Sequence, residues 1–331
     1  MSGEGFCYIF NVFTNSQDED NQKKLHLRHL QQLPSSANLV ILADIDGDGN
    51  LELVIGLTDR VVRSYRWTHL SSTLEGNGGD TLIALNKWEF ANQIGSVSLH
   101  TNTDSKSCLL VAQPGAMYVQ LDCDSAELER SSRAKELMTE MPLEYQSVLS
   151  GKLRNSTMTT EVLGDVKCVS GRSHFAVATL DGVLTLVDGA TGDPVWSLNL
   201  EHQLFSLTKL DVTNDGREEV VVSSWDGHTY IVDYEQNVLR FHLDDSISSF
   251  KAGKFSASAE SGNAPCMVFA TLSNRVVLYY DIRVPRIPLN TLLNEMSSLS
   301  DCQRIFTQLG IDKEDEKAIR HLYNFCLYGC G

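Results

Sequence analysis

Apolar positions in this chain fall in short runs, and the runs come in pairs across a turn. Leu53-Val54-Ile55 is followed by the polar turn Thr58-Asp59-Arg60 and then by Val61-Val62-Arg63-Ser64-Tyr65. Val220-Val221-Val222 leads through Trp225-Asp226-Gly227 to His228-Thr229-Tyr230-Ile231-Val232. Runs this short, rich in β-branched and aromatic residues and bounded by turn formers, predict strands. The unbroken runs suit strands covered on both faces, and the alternating ones suit half-covered positions. The same strand-turn-strand pattern recurs at Leu109–Tyr118, Phe175–Leu186 and Cys266–Tyr280. Gly, Asp or Asn in each turn is expected to supply the positive φ of a tight hairpin.

The pattern is a repeat. Leu42–Ile55 aligns without a gap on Lys209–Val222, so that Asp44, Asp48, Gly49 and Glu52 fall on Asp211, Asp215, Gly216 and Glu219. A spacing of about 42–65 residues between copies is that of propeller blades with loop insertions. One blade cannot bury both faces of its sheet, so blades must stack radially; a β-sandwich is the alternative and would show no fixed period. Five nearly whole repeats are expected, at about 38–92, 93–150, 159–202, 203–245 and 246–284. Ser2–Phe10 aligns with Ser224–Val232, which places the start of the sequence at the turn of a repeat and predicts a partial blade ahead of these five. Segment 125–147 is polar and charged and reads as a loop insertion with some helix. The pattern changes after Pro285 and Pro288. Leu289–Leu299, Cys302–Gly310 and Asp312–Tyr328 have helical spacing, with Gly310 as a stop and apolar stripes at Ile305, Phe306 and Leu309, then at Ile319, Leu322 and Tyr323. The expected organisation is a propeller over 1–284 and a helical segment over 285–331.

Composition narrows the function. A net charge of −16 argues against a general affinity for nucleic acid or anionic membrane, both of which select a basic face. No apolar stretch is long enough to predict insertion into a membrane. The eight cysteines are scattered, with no CxxC pair and no zinc spacing. Together with a start that lacks a signal-peptide pattern, this predicts a reducing, intracellular setting. The nine histidines recur at no common repeat position, and His202 and His228, near strand starts, read as structural. There is no GxSxG, P-loop or HExxH motif, so an enzyme is not expected.

The one candidate for binding chemistry is the loop Asp44-Ile45-Asp46-Gly47-Asp48-Gly49-Asn50-Leu51-Glu52. Calcium takes about 6–8 oxygen ligands, and alternating side chains on a tight loop can surround it. Asp44, Asp46, Asp48 and Glu52 would supply carboxylates and Asn50 a backbone carbonyl. An EF-hand is excluded because its twelfth position needs Glu and here is Ile55. Asp211, Thr213, Asp215, Arg217 and Glu219 form a degraded copy, with Thr213 in place of a carboxylate and Arg217 bringing positive charge. The alternative for both loops is an Asx-turn, in which the Asp side chains accept backbone N–H bonds.

The Asp44–Glu52 loop followed by Leu53-Val54-Ile55-Gly56 resembles the FG-GAP repeat of integrin α-subunit propellers, which have seven blades. Thr58–Arg63, His202–Phe205, Lys209–Thr213 and Trp225–Ile231 extend the likeness along nearly the whole chain to the integrin-alpha FG-GAP repeat-containing family of KICSTOR subunits. The resemblance implies an all-β propeller of FG-GAP or WD-like blades, about five plus a fragment of a seven-bladed ring, with a short C-terminal helical tail. It implies a non-catalytic scaffold, cytoplasmic and held at the lysosomal membrane through partners. There it would recruit the GATOR complex that acts on Rag GTPases and restrain TOR kinase signalling in nutrient shortage. Kaptin and the other KICSTOR subunits are the implied partners. A calcium-stabilised adhesion propeller, for which Asn155-Ser156-Thr157 is a glycosylation sequon, and a propeller hydrolase are the alternatives.

Overall fold

The computed structural model describes residues 4–14, 23–69, 80–102, 106–123, 143–148, 157–168, 173–256, 262–282, 284 and 299–311, with 318, 321, 322 and 325. Two compact units are distinct, residues 1–283 and 284–331.

The first unit is a β-propeller arrangement of five blades preceded by a hairpin. The hairpin pairs β1 (Phe6–Thr14) with β2 (Lys23–Gln32). The first blade is β3 (Ala37–Ala43), β4 (Glu52–Leu57), β5 (Val61–His69) and β6 (Asp80–Glu89). The second is β7 (Val97–Thr101), β8 (Ser107–Gln113), β9 (Met117–Asp122) and β10 (Tyr145–Ser147). The third is β11 (Thr160–Val166), β12 (His174–Thr179), β13 (Val183–Asp188) and β14 (Pro194–Asn199). The fourth is β15 (Leu204–Leu210), β16 (Glu219–Ser224), β17 (His228–Val232) and β18 (Val238–His242). The fifth has three strands among the described residues, β19 (Ile247–Phe255), β20 (Ala264–Thr271) and β21 (Val276–Tyr279). Each blade is an antiparallel meander in sequence order.

The second strand of a blade carries the unbroken apolar run, and β4, β12 and β16 are buried along their whole length. Such strands need a neighbour on each face, and the core clusters show that they have one. Val166, Leu184 and Leu186 of the third blade pack with Leu207, Val220 and Tyr230 of the fourth. Ile45, Val54 and Val62 pack with Leu109, Val111 and Val119. Each fully covered Leu, Ile or Val contributes about 1.5–3 kcal/mol. Blades also meet through backbone. Ser96 Oγ accepts from Val162 N at 2.7 Å and Ser98 Oγ from Gly164 N at 2.8 Å. A Cβ on Gly164 would lie 2.0 Å from the Leu99 carbonyl oxygen, so only glycine permits β11 to approach β7 this closely.

Two expectations differ from the structure. Tyr145–Ser147 is not insertion but a fourth strand pairing with β9; three residues carry too little period to be seen in sequence. Residues 124–142 lie outside the described residues. In the turn after β4 the positive φ falls on Arg60, at 68°, not on Gly, Asp or Asn, and its guanidinium donates to Ala91 O at 2.9 Å.

In the second unit, α1 spans Ser300–Leu309 and ends on Gly310 at φ 70°, whose left-handed conformation lets Ile311 N reach Phe306 O at 2.9 Å. Phe306 is buried, whereas Ile305 and Leu309 are about half exposed, so the expected stripe is buried at one position only. Ala318, His321, Leu322 and Phe325 are helical. The expected helix at 289–299, like Ile319 and Tyr323 of the second stripe, lies outside the described residues apart from Leu299. No helix among the described residues is long and apolar enough to cross a membrane.

Candidate functional site

The loop between β3 and β4 has to reverse the chain within eight residues, 44–51, and its side chains do so by capping its own amides. Asp44 Oδ1 accepts from Gly47 N at 2.8 Å and Asp48 N at 3.2 Å, and Asp44 Oδ2 accepts from Gly49 N at 2.9 Å. Asp48 Oδ1 accepts from Asn50 N at 2.8 Å. Gly47 and Gly49 hold positive φ, and a Cβ at Gly49 would meet nothing, so it is the backbone angle that calls for glycine. Asn50 therefore enters the loop as an amide donor to Asp48. The Asx-turn geometry expected as the alternative is present.

Carboxylate oxygens of Asp46, Asp48 and Glu52 also converge on one side chain that the sequence pattern did not single out. Arg66, on β5, stands opposite Glu52 in the β4–β5 register. Its Nη2 lies 2.7 Å from Glu52 Oε1 and 2.6 Å from Asp46 Oδ2, its Nε 2.9 Å from Glu52 Oε1, and its Nη1 3.0 Å from Asp48 Oδ2. Glu52 is fully buried and also accepts from Ile45 N at 3.1 Å. Burial pushes the Glu52 carboxyl above its ordinary range, against the pull of that amide and of Arg66. Burial works to lower the Arg66 guanidinium, but the hydrogen bonds it donates to Asp46 and Glu52 outweigh it and hold the group more firmly charged.

Asp44, Asp46 and Asp48 do bring carboxylate oxygens within 4.8 Å of one another. With the guanidinium spanning Asp46, Asp48 and Glu52, however, the cationic place in this loop is filled by the chain itself. A calcium ion does not fit the full predicted ligand set while Arg66 stays there.

The degraded copy between β15 and β16 repeats the amide capping. Asp211 accepts from Asp215 N at 3.2 Å and Gly216 N at 3.3 Å, and Asp215 accepts from Arg217 N at 2.9 Å. Glu219 accepts from Val212 N at 2.8 Å and Thr213 Oγ1 at 3.3 Å; burial raises its carboxyl above the usual range. Arg217 turns to Glu235, with Nη1 3.6 Å from Oε1. The cation here is Lys254 of β19, whose Nζ lies 3.0 Å from Asp211 Oδ2.

A buried polar group bears on catalysis. His100 is 1% exposed, and its Nδ1 faces both Asp165 Oδ1 at 3.3 Å and Ser173 Oγ at 3.4 Å. A nucleophile relay needs acid and hydroxyl on opposite ring nitrogens. Here they share one nitrogen, Nε2 has no hydrogen-bond partner, and a Cβ on Gly189 would sit 2.6 Å from it. The trio ties the second blade to the third, since Asp165 Oδ1 also accepts from Thr101 N at 2.6 Å.

The family model for integrin-alpha FG-GAP repeat-containing protein 2 matches residues 1–284. The chain is 34% identical, over 351 residues, to the KICSTOR complex protein ITFG2 of Mus musculus, covering 99% of this chain and 77% of that protein. It is also 34% identical over 284 residues to the Bos taurus protein of the same name, covering 81% of this chain and 52% of that one. It therefore spans about half the length of the bovine relative. Among solved structures, Saccharomyces cerevisiae Sqt1 superposes with a TM-score of 0.53 at 13% identity, over 85% of this chain and 68% of that one, a likeness of fold alone.

Proposed function

Because the chain belongs to the integrin-alpha FG-GAP repeat-containing protein 2 family, we propose that it is a non-catalytic scaffold subunit of a KICSTOR-type complex. The observation that carries this is the 34% identity over 99% of the chain to a protein named for that complex. The site chemistry agrees with it. Carboxylates in both blade loops are engaged by amides and by Arg66 or Lys254, and His100 is sealed beneath the surface. These groups close a loop within one blade or tie one blade to the next, and present no reactive atom to a substrate.

In this reading the chain binds kaptin and the other KICSTOR subunits through its surface. Through them it stations the GATOR complex at the lysosomal membrane and restrains TOR kinase signalling in nutrient shortage. Binding energy in such a scaffold concentrates in a few exposed aromatic or Arg anchors. Ile305, Leu309 and Phe325 are apolar, exposed and helical, and offer one such contact. Copurification with the tagged full chain tests the proposal. Kaptin and its companions are expected in the eluate, and deletion of 287–331 should reduce their yield while the β signal in circular dichroism persists. An eluate free of KICSTOR subunits would refute it.

A further inference from the structure

The two carboxylate loops lie at one end of their blades. At the opposite end of the fourth blade, three segments bring together side chains that neither the fold nor the proposed function has used. His202 lies in the connection that enters β15, Asp226 sits in the β16–β17 turn, and His228 opens β17. His202 Nδ1 is 2.6 Å from Asp226 Oδ2, and His228 Nδ1 is 3.2 Å from Asp226 Oδ1. One ligand atom from each lies within 4.8 Å of the others. The His202 and His228 rings stack with centroids 4.0 Å apart, and His242, at the end of β18, adds a third imidazole 4.3 Å from His228. His228 Nδ1 is buried, faces Asp226 and makes no well-directed hydrogen bond.

We propose that His202, Asp226 and His228 form a binding site for a first-row transition-metal dication of the Zn2+ type. Two imidazole nitrogens and one carboxylate are a borderline-soft donor set that suits zinc and does not suit calcium or magnesium, which take oxygen. Positions beyond these three are left to water or to His242. Binding would clip the β16–β17 turn to the segment that enters β15, at an end of the blade where Trp225, stacked on Phe205 at 4.0 Å, is 41% exposed.

The charged groups around the trio set the terms of binding. Ser224 Oγ donates to Asp226 Oδ1 at 2.5 Å, and Asp244 Oδ1 is 3.2 Å from His242 Nδ1. Arg240, on β18, donates from Nη2 to His228 Nε2. A guanidinium only donates, so Nε2 accepts and the ring proton sits on Nδ1. A metal ion at Nδ1 displaces that proton, and the neutral ring then carries its hydrogen on Nε2. Arg240 must swing aside, which its exposed position allows. Arg240 is therefore a competitor of the metal.

Titration of the full chain with Zn2+ by calorimetry, and with Co2+ by absorbance, tests this. One ion per chain is expected, with His202→Ala weakening it at least about tenfold and Arg240→Ala tightening it. Bound Co2+ should show ligand-field bands without the sulfur-to-metal charge transfer that cysteine ligands give. Absence of binding in the parent chain, unchanged binding in His202→Ala, or a sulfur charge-transfer band would overturn the proposal. Should His202→Ala fail to fold, the Arg240→Ala comparison decides, because unchanged or weaker binding there refutes the site.

Discussion

The 44–52 loop and the 211–219 loop share one backbone and differ in where their cation comes from. Both cap three or four amides with two Asp side chains, and both turn a buried Glu onto the amide after the first Asp, Ile45 or Val212. In the first blade the balancing charge, Arg66, is on the same sheet, two strands along from the start of the loop. In the fourth, the position of Arg66 in the repeat is held by Asp233, which caps Asn237 N at 2.7 Å, and the positive charge arrives from the next blade as Lys254. The repeat thus specifies the loop, and each copy finds its own way to neutralise it. An internal counter-charge makes a blade self-contained, and a borrowed one makes two blades depend on each other.

Removing the internal cation should break this contrast most strongly. Arg66→Ala leaves Asp46 and Glu52 buried and unpaired, and chemical denaturation should show a loss of about 3–5 kcal/mol. A loss below about 1 kcal/mol would mean that the carboxylates protonate or find solvent without difficulty. The same variant sharpens the question of calcium. With the guanidinium gone, millimolar Ca2+ should raise the melting temperature of Arg66→Ala and leave that of the parent unchanged. A calcium shift in the parent would show that Arg66 gives way to the ion.

Lys254→Ala should cost less, about 0.5–1 kcal/mol, because the lysine is 39% exposed and screened. Its mark should be local, as faster amide exchange in both 211–219 and β19. Exchange confined to the loop would show that the two blades are not coupled there.

The smallest effect is expected at Glu219, whose two contacts are neutral donors. Burial raises its folded carboxyl above the ordinary value of 4.5, so the folded state holds the proton more tightly than the unfolded chain. This contribution is therefore lost as pH rises from about 4.5 through the raised value. Glu219→Gln should flatten that part of the stability–pH curve and change stability at neutral pH by less than about 1 kcal/mol. An unaltered curve would assign the slope to other groups.

Much of the fold was legible because strand period and turn chemistry act locally. Val220-Val221-Val222 and Leu53-Val54-Ile55 announce covered strands, and Asp226-Gly227 marks a hairpin. The loop carboxylates were legible for the same reason. Arg66 was within reach: a hairpin that turns at Thr58-Asp59-Arg60 sets residue 66 against 52, and an arginine facing a buried glutamate is a pair. Lys254 was not, since its contact depends on how one blade packs on another. Neither was Tyr145–Ser147, too short to show a period and preceded by a long polar segment. His202 and Asp226 are 24 residues apart in the chain and meet only once β15 and β16 have paired.

A guanidinium fixed to β5 differs from a dissolved ion in one respect that reaches beyond stability. Its local concentration is set by covalent attachment and does not follow the surroundings. A loop that stays closed in that way would neither buffer free calcium nor respond when calcium rises and falls as a signal, and the first blade would keep its shape through such swings.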